Sequence, residues 1–172
     1  MHGRSDNWVL ESVERYERSL LRFATTLVGP GQARDVVQET FVELCKQRRE
    51  DIDGHLAAWL FTVTKHHALD LLRKSRRAEP LPDGDDMTSP DSGPQIKLER
   101  QQALSRLQQL VGELPFRERE AVLLKFGGGL SYREIADVMQ LSVSNVGFIL
   151  HTALKTIRAE YVSESIAQGR AQ

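Results

Sequence analysis

Between Ala78 and Gln95 the chain reads AEPLPDGDDMTSPDSGPQ, a stretch that holds four of the six prolines of the whole sequence together with a strong acidic excess. Such a segment buries too little apolar area to offset its ordering entropy, so it predicts a flexible linker and divides the chain into two parts. Both parts carry apolar residues at three- and four-residue spacing, the period of amphipathic helices. The predicted fold is all-α: two small helical domains, at about residues 8–77 and 100–162, joined by a flexible acidic linker over 78–99.

In the N-terminal part a first helix is expected from about Trp8 or Val9 to Val28. Its stripe is Leu10, Val13, Tyr16, Leu20, Phe23 or Ala24, and Leu27, and it stops at Gly29-Pro30-Gly31. The residues before Trp8 are expected to be disordered. A second helix, over 33–48, turns Val37, Phe41 and Leu44 to a core, flanked by Thr40 and Cys45, and leaves Asp35, Gln38, Glu39, Val42 and Lys46 outward. A third, over 55–77, buries Leu60, Phe61, Thr64, Ala68, Leu71 and Leu72. Its opposite face gathers Trp59, Thr62, His66, Arg73 and Arg77, with Arg76 at the same basic end.

Two readings of that face stand side by side. Cations hold phosphates and aromatic faces stack on unpaired bases, which suits single-stranded or opening nucleic acid. Alternatively Trp59 is a half-buried core residue and the arginines are a solvated helix end that complements the helix dipole. The distribution of charge bears on this. The whole chain carries 23 basic and 24 acidic residues, yet the local balance runs −2 over 1–54, +4 over 55–78, −5 over 79–99 and +2 over 100–172. Positive charge concentrated on one element is what a nucleic-acid binder of neutral overall charge requires.

The C-terminal part opens on a stripe of Leu104, Leu107, Leu110 and Leu114, breaks at Pro115, and resumes through Ala121, Val122, Leu124 and Phe126 to Gly127-Gly128-Gly129. The glycines are a turn and not a phosphate loop, since no Lys-Ser or Lys-Thr pair comes after them. Ser131 with Glu134 three residues on forms a capping box, and Ile135, Ala136, Met139, Leu141, Val146 and Ile149 keep the spacing of a helix-turn-helix, with Ser142 capping its second helix.

Other chemistries find little support. His66 and His67, with Asp70 nearby, could suggest metal ligands, but adjacent histidines point about 100° apart on a helix and no second cluster closes a site, so neither metal nor cofactor is expected. No Ser or Cys nucleophile sits in a recognisable motif with a base, so the expectation is a non-enzymatic protein. The lone Cys45 has no disulfide partner and reads as a small buried residue. No apolar run approaches the ~18 residues that span a bilayer, and no leader pattern opens the chain, so a cytoplasmic location is expected.

The runs DVVQETF, from Asp35, and WLFTVTKHHALDLLRKSRR, from Trp59, resemble region 2 of the extracytoplasmic-function (group 4) sigma factors of bacterial RNA polymerase. The stretch from Leu114-Pro115 and Arg119-Glu120 through Glu134-Ile135-Ala136 to Asn145-Val146 resembles region 4 of the same family. The resemblance implies a factor that directs promoter-specific initiation. Core-polymerase docking on the β′ clamp helices would fall to Asp35, Gln38, Glu39, Phe41 and Val42, with Phe41 acting mainly through packing. Minus-10 DNA contacts would fall to Trp59, Thr62, His66, Arg73, Arg76 and Arg77, beside a base-capturing loop over Arg48 to Leu56. Minus-35 contacts would fall to Arg133, Ser142, Ser144, Asn145, Phe148, His151, Lys155 and Arg158, in a domain seated on the β flap. The linker would thread toward the RNA-exit channel, and an anti-sigma protein is a further partner of such factors. The chain departs from the family pattern at Thr64-Lys65-His66, at Gly147 and Ile149 in place of the usual Lys-x-Arg, and at Gln140 in place of a turn glycine. The competing reading is a stand-alone helix-turn-helix regulator whose N-terminal helices form a dimerisation or ligand-sensing bundle.

Overall fold

The computed structural model describes the backbone of residues 7–76 and 95–169, with side chains described over 7–76, 101–163 and at 166. The residues before Asn7 and the acidic stretch over 78–94 lie outside the described residues, and with them the disorder expected at the start of the chain and the flexibility expected of the linker. All regular structure among the described residues is helical.

The N-terminal unit consists of α1 (Asn7–Val28), α2 (Pro30–Cys45), the one-turn α3 (Arg49–Ile52) and α4 (Leu56–Ser75). Helix α2 starts three residues earlier than the apolar spacing suggests. Pro30 fits the first turn, where no amide hydrogen is needed, and Gly29 at φ 80° makes the sharp reversal out of α1. Buried Leu20, Phe23 and Ala24 of α1 meet Val36, Val37 and Leu44 of α2 and Leu60, Phe61 and Ala68 of α4. Phe23 and Phe61 pack edge to face, with ring centroids 5.2 Å apart. A buried polar contact crosses this core: the Thr40 and Thr64 hydroxyls lie 3.1 Å apart, so that one donates to the other, which donates in turn to a carbonyl one turn back on its own helix.

Several core assignments shift. The buried side of α1 begins with Trp8 and Ser12, whose hydroxyl donates to the Trp8 carbonyl, and Leu10 is exposed. The α2 stripe is centred on Val36, Val37 and Thr40, which leaves Phe41 half-buried. Cys45 is exposed and not buried: Leu44 takes the inward position, and the next residue on a helix points about 100° away. Leu71 and Leu72 are half-buried in the last part of α4.

The C-terminal unit consists of α5 (Gln95–Glu113), α6 (Phe116–Val122) running into a π-helical turn (Leu123–Gly127), α7 (Tyr132–Met139) and α8 (Val143–Gly169). Helical backbone therefore begins at Gln95, inside the stretch assigned to the linker, and α8 outruns residue 162. Only Leu110 and Leu114 of the predicted α5 stripe are buried, while Leu104 and Leu107 are exposed. Phe126 is also exposed, because a π turn inserts an extra residue per hydrogen-bonded ring and rotates the later side chains out of register. The capping box at Ser131 and Glu134 is present, and the turn after α7 is made by Gln140 in the left-handed conformation, φ 56°.

The two units pack together. Helix α1 meets the π turn and α6, and α4 meets α7. A Cβ on Gly128 would lie 2.6 Å from Phe61 Cε2, so only glycine admits this approach of the C-terminal turn to the N-terminal core. Lys65 on α4 donates to the Glu120 carboxylate at 2.7 Å and to the Val138 carbonyl at 3.0 Å, tying α4 to α6 and to the end of α7.

Candidate nucleic-acid interface

Helix α2 offers its polar face to solvent. Asp35, Gln38 and Glu39 are exposed, Val42 beside them is exposed as well, and half-buried Phe41 joins this face to the core beneath. The C-terminal unit packs on α1 and α4, and the α2 face carries two carboxylates and an amide beside the apolar Val42.

The segment after α2 is shaped by a fork: Arg48 donates from Nε and Nη2 to the two Asp51 oxygens, both at 2.9 Å. Asp51 holds the Arg48 guanidinium above its usual pKa, chiefly through that hydrogen bond. Ile52 anchors the segment in the core, so the expected base-capturing loop contains one turn of helix. A cleft of ≈ 530 Å³ lies beside it, with Tyr16 and His55 on one side and Gly129 and Leu130 of the C-terminal unit on the other.

On α4 the stripe divides. His66, Arg73 and Arg76 are exposed, whereas Trp59 and Thr62 are half-buried, Trp59 packing against the core. Arg77 lies outside the described residues. Arg73 pairs with Asp70 at 3.1 Å, but both are well exposed and such pairs are weak, so the guanidinium stays open to a phosphate. Adjacent Lys65, which the sequence marks only as a departure from a pattern, points the other way and joins the two units.

The helix-turn-helix is formed by α7 and α8. Ile135, Ala136, Met139, Val146 and Leu150 seal its inner side. The Ser142 hydroxyl accepts from the Asn145 amide at 3.2 Å, capping α8 as the sequence predicts. Ser142, Ser144, Asn145, Phe148, His151, Lys155 and Arg158 are all exposed, as is Arg133 on α7. This is the geometry in which a second helix enters the major groove while the first crosses the backbone.

Comparison with known proteins assigns both halves. A sigma-70 region 2 model matches residues 12–78 and a sigma-70 region 4 model matches residues 104–157, in that order. The chain belongs to the sigma-70 family. Among curated sigma factors it is 29% identical over 162 residues to the ECF RNA polymerase sigma factor SigE of Mycolicibacterium smegmatis, covering 90% of this chain and 63% of that one. It is 25% identical over 155 residues to SigM of Bacillus subtilis, covering 88% and 93%. The chain thus spans less than two thirds of the first relative and nearly all of the second, and both of these relatives are ECF RNA polymerase sigma factors. The fold resembles that of the sigma factor RpoE solved in complex with the anti-sigma factor NepR from Bartonella quintana, with a TM-score of 0.64 at 18% identity, covering 90% of this chain and 96% of that one. It also resembles CnrH solved with the cytosolic domain of CnrY, with a TM-score of 0.56 at 24% identity, covering 90% and 88%. No helix among the described residues is long and apolar enough to cross a membrane.

Proposed function

We propose that this sigma factor binds core RNA polymerase through α2, opens and holds the minus-10 element with the α3 segment and α4, and places α8 in the major groove of the minus-35 element. It acts in the cytoplasm and catalyses nothing itself; the core enzyme performs nucleotidyl transfer. The assignment of roles is by element: Asp35, Gln38, Glu39 and Val42 to the β′ clamp helices, with Phe41 as their support; Trp59, Thr62, His66, Arg73, Arg76 and Arg77 to the minus-10 strand; Arg133, Ser142, Ser144, Asn145, Phe148, His151, Lys155 and Arg158 to the minus-35 duplex. The C-terminal unit would rest on the β flap, and an anti-sigma protein is a partner consistent with the kinship.

The observation that carries this reading is the exposed acidic and amide face of α2 on the same chain as a capped helix-turn-helix. A stand-alone regulator needs the latter and has no use for the former. Gln38→Ala with Glu39→Ala is expected to weaken core-polymerase binding at least tenfold, about 1.4 kcal/mol, while helicity and melting temperature stay unchanged. Fluorescence titration of labelled protein with core polymerase measures this. Unaltered core affinity in a normally folded double variant would rule out the α2 docking face.

The free chain has few cations available for duplex DNA. Arg133, Lys155 and Arg158, with Arg117 or Arg119, are the candidates; Arg119 already donates to the Leu114 carbonyl. At about −0.9 per neutralised phosphate, the slope of log K against log salt should be about −2 to −4, compared with the larger slopes of binders that engage ~6–10 phosphates. Promoter specificity then depends on core polymerase, which brings both DNA-binding elements to bear at once and so raises their effective concentration. Filter binding across a salt series tests this, and a slope steeper than about −6 would contradict it.

A further inference from the structure

Helix α8 keeps Val146, Leu150 and Ala153 inward, and the stripe directly opposite consists of Ser144, Phe148, His151 and Lys155, with Asn145 beside it. Phe148 lies at the middle of that stripe and is 69% exposed, the largest value among the exposed large hydrophobic side chains of the described residues. A single apolar residue on a protein surface means little by itself. This one stands on the outward side of the first turns of the second helix, from which a helix in the major groove touches base edges, six residues beyond the Ser142 cap.

The surrounding residues narrow the bases that can be read. From Glu134 to Leu154 the sequence contains no lysine or arginine. Guanine is read in the major groove chiefly by bidentate arginine or lysine at O6 and N7, and on the outward stripe of α8 only Lys155, about two turns beyond Phe148, is of that kind, so the turns that hold Asn145 and Phe148 lack the side chains for it. They hold instead an asparagine amide, which matches adenine N6 and N7, and a phenyl ring, which matches the C5 methyl of thymine. Asn145 and Phe148 are three residues apart on one helix, so their Cβ atoms stand about 5–6 Å from each other. That separation matches base pairs one or two steps apart at about 3.4 Å per step. Cations stand only at the flanks, Arg133 on α7 and Lys155 and Arg158 further along α8, where they suit phosphates.

We propose that Phe148 reads a thymine methyl group in the minus-35 element and that Asn145 reads an adenine one or two base pairs away. The middle of that element is then A·T, selected without a guanine contact from the helix. Gly147, between the two in sequence, lies on the other side of Phe148, toward α7, where an added Cβ would meet the Tyr132 ring at 3.8 Å. The inference rests on the initiation-factor reading, and its test separates the two.

Holoenzyme assembled from the full chain and core polymerase is used to select initiating promoters from a library randomised across the minus-35 element. In the selected promoter each thymine is then replaced in turn by deoxyuridine, which lacks only the methyl group. The expected result is one thymine at which this replacement lowers initiation about fourfold with the native chain, the worth of one buried methyl, and has no effect with Phe148→Ala. Asn145→Ala should relax selection at the neighbouring adenine alone. Both side chains are exposed, so the variants should fold normally, and Phe148→Leu should retain part of the methyl effect. Selection of guanine at these positions, or an equal deoxyuridine effect in native chain and Phe148→Ala, would overturn the inference and leave the initiation-factor reading standing. Enrichment of no sequence over core polymerase alone would overturn both.

Discussion

Phe61→Ala is expected to lower the free energy of unfolding by about 3–5 kcal/mol, the cost of emptying a fully buried phenyl site. The ring is 0% exposed and meets Phe23 edge to face, a contact worth about 0.5–1.5 kcal/mol beyond its area. It also supports the other unit, since Gly128 closes directly on its Cε2 edge. The loss should therefore be felt in both units. Phe41→Ala offers the comparison: that ring is half-buried, and its removal should cost about 0.5–3 kcal/mol, the range of ordinary substitutions. Urea unfolding monitored by circular dichroism ranks the two, and equal losses would contradict a core centred on Phe61.

Lys65→Ala is expected to open the molecule. The Lys65 side chain is 19% exposed and that of Glu120 only 4%, so removal of the lysine leaves a buried carboxylate without its cation and takes a donor from the Val138 carbonyl. Breaking one side of a buried pair costs about 3–5 kcal/mol if the surroundings cannot relax. Here they can, because separating the two units returns Glu120 to water. The substitution should then appear as an increased radius of gyration in small-angle scattering, with each unit still helical. Lys65→Met with Glu120→Leu should restore the compact form, since apolar replacement of both partners removes the unpaired charge. A single variant as compact and stable as the native chain would show that the pair does not hold the units together.

That pair also shows where sequence reading stops. The helices, the break at Pro115, the capping box and the inward residues of the helix-turn-helix are all written in local spacing, because 3.6-residue periodicity and caps are properties of neighbouring residues. Local spacing misplaces the inward residues of the first turns of α1, where Leu10 fits the stripe but Trp8 and Ser12 are buried, and it misplaces Phe126 beyond a π turn that no periodicity announces. Lys65 and Glu120 are 55 residues apart, and nothing in either segment marks them as partners. Two hints were nonetheless present: a glutamate set directly against the apolar run Ala121-Val122, and a glycine triplet with no phosphate-loop residues after it. The exposed residues of the candidate interfaces were legible because family kinship and an outward-facing stripe point to the same positions; their partition into half-buried Trp59 and exposed His66 was not, since it depends on the elements that pack beside α4.

The central claim, that this chain confers promoter-specific initiation on core polymerase, is tested most directly by run-off transcription. Core polymerase with a promoter selected from the randomised library is assayed with and without the purified chain. The account predicts a discrete transcript of defined start only when the chain is present, and its loss with Gln38→Ala/Glu39→Ala. Tight, sequence-specific binding of that DNA by the chain alone at physiological salt, with no change in the products that core polymerase transcribes, would contradict it and establish a stand-alone regulator instead.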